Sequence, residues 1–380
     1  MLEINTTTLQ EAVGKSIKGS GRLPMLLMTT AISIELKDGI ITLTTTDGNL
    51  NLLIRIPGFD KEQKFYACTD STMFSSLVAK TTSKTIGLEV RENALYFKGN
   101  GSYNLPLIQD EEGNNVRIKR IVCSSNEAVD IKTAVTKPMC RYNKLAIAKT
   151  KEIPQFASYC ISGKKVYTYD TKNLCVSNFN LGDMRMLLPA ATAGLLELIG
   201  DEDITVIYDG VAFNIISGSV TIEGTVMQGL DEFPVDAANQ FLTPEAFPNK
   251  VELDKIQLEN VLDRIGLFIL PEDLDAIMLT FSNDSLIIQN RAQNGYEHLL
   301  YLNSPTGNPN SQTLLDIKSL KMIVSACELD SVVIGINNET GNVCVECGDT
   351  KFVIPSMDAT EEEFEEEELA EEQETEFVEE

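Results

Sequence analysis

The feature that most constrains this chain is an order of elements written three times. The strings "GNGSYNLPLI", "SGSVTIEGTV" and "CGDTKFVIPSM" each place a turn ahead of an apolar strand. Their turns, Gly101-Ser102, Gly218-Ser219 and Gly348-Asp349, lie 117 and then 130 residues apart. Spacings of domain size set the fold before any single element does. Ahead of each turn stands a helical pattern, "DSTMFSSLVAKTTS", "LLPAATAGLLELIG" or "LLDIKSLKMIVSAC". In the last, Leu320, Ile323, Val324 and Cys327 recur at three and four residues. Two strands follow each helix: "TIGLEV" and "ALYFKG", "ITVIYD" and "VAFNIIS", "SVVIGI" and "GNVCVEC".

The front half of each unit repeats as well. "TTTLQEAVGKSIKG" carries Leu9, Val13 and Ile17 on one face, with Thr7 or Thr8 placed to cap the helix. "KPMCRYNKLAIAKTK" and "DKIQLENVLDRIGLF" occupy the same place in the later units, and strand pairs follow all three. Thr46-Asp47-Gly48-Asn49 and Tyr169-Asp170-Thr171-Lys172 sit at matching turns. The expected class is α+β, with two helices per unit packed on antiparallel sheets. Polar, turn-rich stretches "QDEEGNNVRIKR" and "NQFLTPEAFPNK" divide it into domains at 1–122, 123–248 and 249–357, with a tail at 358–380.

At 380 residues and 43% hydrophobic, the chain has the material for such cores. No run approaches 18 apolar residues, and "MLEINTTTLQEAV" lacks the basic-then-apolar pattern of a signal peptide, so no membrane association and a cytoplasmic location are expected. The eight cysteines are dispersed and read as buried thiols. "CVEC", Cys344 to Cys347, is a lone CxxC, and the single histidine, His298, is remote from it in sequence. Neither a zinc site nor any other cofactor is expected, and His298 reads as structural or solvent-exposed.

The net charge of −26 is uneven. Residues 358–380 hold 14 acidic and no basic residues; removing them leaves 43 acidic against 31 basic, a net −12. Such a run repels itself and buries little, so it is expected to stay disordered, either solubilising the chain or regulating it. Against that background, basic residues gather on predicted helix faces. Lys137, Arg141, Lys144 and Lys151 follow the helical period, although Pro138 limits the first turn; Lys15 and Lys18 lie opposite one apolar face, and Lys318 and Lys321 opposite another. One stripe is an ordinary solvated face. Three, on helices pointing the same way, would add into a surface that attracts phosphate while the rest repels it.

An enzyme is not expected. A metal-dependent phosphoesterase would draw on Asp47, Asp170 or Asp201 and Asp203, but these acids are scattered in turns, and neither a GxxxxGK[ST] loop nor a nucleophile elbow is present. A scaffold of repeated domains that never encircles DNA is the other reading.

Over residues 1–357 the element order resembles the β sliding clamp of bacterial replicative DNA polymerase, in a divergent or virus-encoded form. "GSGRLPML" is similar to that family's first loop, "LTTTDGNLNLLIRI" to its Thr-Asp strand turn, "GLDEFPV" to its Phe-Pro segment and "KFVIPSM" to its final strand. The resemblance implies that each chain is half of a ring. Two three-domain chains join head to tail, helices line a hole holding duplex DNA, and DNA polymerase and clamp loader are the partners. It implies a homodimer interface at Tyr103 and Leu105 on one side and Phe268 and Ile269 on the other. It also implies a cleft for partner peptides at Lys172, Asn173, Leu174, Pro234, Val343, Ile354, Pro355 and Met357. Arg22 matches a DNA contact; Lys144, Lys149 and Lys151 join it from the basic stripe. The chain departs from the pattern in having Thr171-Lys172-Asn173-Leu174 where the family has a Gly-His-Arg-Leu run, in having Met357 at an often basic position, and in continuing into the acidic tail. Leaving the strand that builds the cleft, the tail is expected to screen basic partners or compete with DNA until a loader engages.

Overall fold

Four helices begin without a connecting loop, because the last residue of a strand is also the helix cap. In "LEIN-TTTL", Asn5 Oδ1 accepts from Thr8 N–H at 3.2 Å. Asp70, Asp254 and Asp316 do the same for Met73 (2.7 Å), Gln257 (2.8 Å) and Lys318 (2.8 Å). A short carboxylate or amide satisfies an orphan N–H while its own backbone stays extended, so strand and helix abut. The first helix is thus capped by Asn5 rather than by Thr7 or Thr8. The computed structural model describes residues 1–21, 27–110, 112–125, 128–131, 139–149, 153–178, 184–199, 202–269 and 275–357. The acidic tail lies outside them.

The helices are α1 (Thr6–Ser16), α2 (Ser71–Ala79), α3 (Ala191–Leu196), α4 (Val235–Gln240), α5 (Lys255–Gly266) and α6 (Ile317–Ala326). The chain divides into two units: Met1–Cys140 with Asn180–Gln228, and Arg141–Phe179 with the chain from Gly229 on. The middle domain expected at 123–248 thus contributes residues to both.

In the first unit, one antiparallel sheet runs in the order 65–70, 31–37, 40–46, 50–57, 220–225, 212–217, 204–208, 128–131. Its central joint pairs Leu52 with Ile222 and Ile54 with Val220. Gly224 is required there, since a Cβ would come within 2.4 Å of the Phe213 ring and 2.5 Å of Leu50. A second sheet runs 2–5, 85–91, 94–98, 102–106; α1 lies on strands 40–46 and 50–57 of the first sheet and also meets strand 2–5, α2 lies on strands 31–37 and 65–70, and together they bury Leu9, Val13, Phe74 and Val78. In the second unit, strands 158–162, 165–169, 174–178, 350–354, 343–347, 331–336 and 249–254 follow one another in a sheet, and 296–300, 285–290, 276–281, 311–316 form another. Here α5 and α6 bury Leu258, Leu262, Leu320 and Ile323 in one continuous core with both sheets.

The three corners now have a common part. The strands they lead into are 102–106, 220–225 and 350–354; the latter two are hydrogen-bonded to strands 50–57 and 174–178. Strand 102–106 is an edge of its sheet, and so is 296–300, the third repeat's counterpart of 50–57 and 174–178. The corners differ in length. Ser217 pairs with Val220 and Cys347 with Thr350, giving two-residue turns with Gly218 at φ 48° and Gly348 at φ 64°. Lys98 pairs with Ser102, leaving the three residues Gly99–Gly101. The acid turns are more uniform: Asp47, Asp170 and Asp209 each accept two backbone N–H bonds, from the second and third residues on, at 2.6–3.0 Å. The residue after each acid is left-handed: Gly48, Thr171 and Gly210, at φ 100°, 76° and 94°.

The long helix expected across "KPMCRYNKLAIAKTK" does not form among the described residues. A single helical turn at 139–141 gives way to a 3₁₀ turn, Asn143–Ala146, and Ile147 is extended. The buried Asn143 side chain is committed to the sheet, donating to Val166 O at 3.2 Å and accepting from Ser177 Oγ at 2.6 Å, and this anchors the segment locally. The helix expected in "LLPAATAGLLELIG" shortens to the six residues of α3, which has no side-chain cap.

All eight cysteines are free thiols, six of them buried. His298 is exposed, its ring edge-on to Tyr296 at 5.9 Å. Among the described residues, no group of three His, Cys, Asp or Glu is placed to hold a metal, and no helix is long and apolar enough to cross a membrane.

Candidate functional site

The Phe233-Pro234 step opens an apolar cavity of about 250 Å³ in the second unit. Pro234, with its fixed φ, precedes α4, which lines one wall with Ala237 and Ala238 and ends beside Phe241. The opposite wall is the paired strands 174–178 and 350–354, where Leu174 and Val353 are direct cross-strand partners, continued by Pro355. Tyr169, Lys172 and Asn342 complete the lining. Lys172 is the charged member of this set. Below the cavity, Phe156 meets Tyr169 edge-on at 5.0 Å and Phe233 at 6.2 Å. Helix α4 is held by Asn239, whose Oδ1 accepts from Tyr167 OH at 2.9 Å and Lys165 Nζ at 3.0 Å. Burial, and then the charge of Lys351, holds the Lys165 ammonium below the usual lysine range.

Of the expected cleft residues, Lys172, Leu174, Pro234 and Pro355 line this cavity. Asn173 instead turns inward, donating to Ser319 Oγ at 3.0 Å. Val343 and Ile354 pair across two strands and face the core against α5 and α6. Side chains alternate faces along a strand, so with Val353 at the cavity, Ile354 must point the other way. Met357 is not in the lining; its N–H donates to Leu314 O at 2.8 Å. Tyr169, Phe233, Ala237, Ala238, Phe241, Asn342 and Val353 were not anticipated. The available signals were strand parity for Val353 and the short Ala-Ala helix after Phe-Pro.

The basic residues divide into two groups. Lys15 and Lys18, at the end of α1 and in the 3₁₀ turn after it, are exposed and form no ion pair among the described residues. Lys149 is likewise exposed; Lys144, on the 3₁₀ turn, is exposed too but is engaged in a polar or electrostatic contact. By contrast, Lys318 pairs with Asp275, Lys321 with Asp263, and Arg141 with Glu328 while its Nε donates to Ala326 O at 2.5 Å. The single periodic stripe expected through Lys137, Arg141, Lys144 and Lys151 is broken after Lys144, where Ile147 becomes extended. Arg22, Lys137 and Lys151 lie outside the described residues.

The two edge strands carry exposed apolar groups. On the first, Tyr103 is 46% exposed against the buried Phe97, whereas Leu105 is 2% exposed and packs within its own unit. On the other, Tyr296 and Leu300 are 65% and 72% exposed, with Leu267 and the expected Phe268 also open to solvent. Ile269 is half-buried against the core.

No family model matches the sequence, and no curated protein matches it. Solved structures do. The Bacillus subtilis DNA polymerase sliding clamp superposes with a TM-score of 0.81 at 15% identity, over 94% of this chain and 98% of that one. DNA polymerase III subunit beta from Borrelia burgdorferi gives 0.80 at 15% identity (94% and 99%), and the Thermotoga maritima beta subunit 0.78 at 14% (94% and 99%). With a likeness that runs through nearly the whole of both chains, this protein has the fold of the bacterial DNA polymerase sliding clamps.

Proposed function

We propose that the protein is a sliding clamp. Two copies join head to tail into a ring around duplex DNA and tether a replicative polymerase for processive synthesis, without catalysing a reaction. The three modules are residues 1–122, 123–248 and 249–357. The observation that carries the reading is the recurrent joint: strand 50–57 takes 220–225 and 174–178 takes 350–354, while their counterparts 296–300 and 102–106 are edges. The same pairing made twice between two copies would join 296–300 to 102–106 at each of two symmetric interfaces, which closes the pair into a ring with neither of these edges left over. Tyr103 and Phe268 then belong to the interface with Tyr296 and Leu300.

Topology holds such a ring on DNA, so the hole needs only weak, sequence-independent phosphate contact. Lys15, Lys18 and Lys149 supply it, with Arg22, Lys137, Lys144 and Lys151. Arg141, Lys318 and Lys321 do so by exchanging surface ion pairs, each worth about 0–1 kcal/mol, for phosphate. The apolar cavity takes short segments of the polymerase and of a clamp loader.

Sedimentation should give twice the 41.9 kDa chain mass. Protein captured on nicked circular DNA should survive a high-salt wash and be released when the circle is cut. A monomeric mass at micromolar concentration, or retention indifferent to linearisation, would refute the ring.

A further inference from the structure

The chain is tied down beside the cavity until its acidic segment begins. Pro355 lines the cavity; Ser356 N–H donates to Oδ1 of Asn342, another lining residue, at 3.1 Å, and Ser356 Oγ donates to Thr340 O at 3.0 Å. Met357 N–H then donates to Leu314 O. Residues 358–380 therefore start two residues from the cavity wall. They are not uniformly acidic: Phe364, between Glu363 and Glu365, and Leu369, after Glu368, interrupt the first half, and Phe377 and Val378, between Glu376 and Glu379, the second. The cavity presents the complementary chemistry, with Leu174, Phe233, Phe241 and Val353 as apolar wall and Lys172 as the charged lining residue.

We propose that the segment 358–369 of the same chain lies across this cavity, with Phe364 and Leu369 against the apolar wall and adjacent glutamates facing Lys172. The reach suffices, because the nine residues from Pro355 to Phe364 extend to about 30 Å. The nearer pair is favoured over Phe377 and Val378, since each doubling of the closed loop costs about 0.6 kcal/mol. A short tether gives an effective concentration on the order of 1 mM, enough to compete with weak partner segments and too little to exclude strong ones. That competitive role rests on the partner reading given above. The occupancy itself does not.

The test uses the full chain and the full-length F364A/L369A variant, with a fluorescein-labelled synthetic peptide of residues 358–371 as probe. With a peptide Kd of about 0.3 mM against a tether of about 1 mM, the variant should bind the peptide about fourfold more tightly than the unmodified chain. Hydrogen exchange at Ala238 and Asn239 should be faster in the variant. Adding Phe241→Ser to the variant should weaken peptide binding severalfold, and adding Lys172→Glu should weaken it further in low salt. No peptide binding at 1 mM, equal affinity for the chain and the variant, or binding indifferent to Phe241→Ser would overturn the proposal. Neither DNA nor polymerase is present, so that failure would leave the clamp reading untouched. Failure of the clamp reading would show in mass and DNA retention instead.

Discussion

Replacing Arg120 by alanine should strip a buried carboxylate of its counter-ion at the joint of the first unit. Glu223, on strand 220–225, is 2% exposed. Both its oxygens accept from Arg120 Nε at 2.9 Å, and a further bond comes from the guanidinium Nη2. What would remain is the Asn51 amide and Ile121 N–H, both at 3.3 Å. Breaking a fully buried pair costs about 3–5 kcal/mol. Here the arginine side chain is 48% exposed and solvent can follow it out, so about 2–3 kcal/mol is the better expectation. For a unit of this size that is a fall in Tm of about 5–10 °C, read by calorimetry or circular dichroism. Removing the stranded charge carries the diagnosis. Adding Glu223→Gln should recover much of the loss at neutral pH. A Tm change below about 1 °C, or no recovery on adding Glu223→Gln, would refute an uncompensated buried charge as the mechanism.

Thr171 is β-branched at φ 76°, a conformation glycine adopts freely. Thr171→Gly should therefore stabilise the second unit by about 0.5–1 kcal/mol in urea unfolding, with the cavity unchanged. The Asp209 carboxylate is held well below the usual range by Ala212 N–H first and then by Ser124, so its contribution is present above the unfolded value near 4 and is lost as pH falls through the folded one. Asp209→Asn should cost on the order of 1 kcal/mol at pH 7, and the gap in thermal stability should close in acid. Lys15→Ala and Lys18→Ala should each lower the salt slope of DNA binding by about one unit, measured by fluorescence anisotropy across a salt series. Lys318→Ala should lower it less, because Lys318 must leave Asp275 to reach phosphate.

Much of the fold was legible because it rests on local chemistry. Helix and strand order followed apolar periodicity, and the Asp47 and Asp170 turns carried their own hydrogen-bond acceptors. The helix expected around Arg141 and Lys144 was not legible. Its residues have helical spacing, yet the Asn143 side chain is held by Val166 and Ser177, partners 23 and 34 positions away. The cavity was half legible: Phe-Pro marks it, but Ile354 was assigned where Val353 stands, since a one-residue choice of strand face depends on what packs on either side.

By itself, then, the sequence determined three repeats of a helix-and-strand order, the turns that separate them and an acidic tail, all set by side chains acting on their near neighbours. Only the tertiary structure decided which strand of one repeat pairs with which strand of the next, that Glu223 is buried against Arg120, and which lysines are already paired. Those outcomes depend on groups 100 or so positions apart competing for the same hydrogen bonds and the same core, and no local pattern encodes the winner.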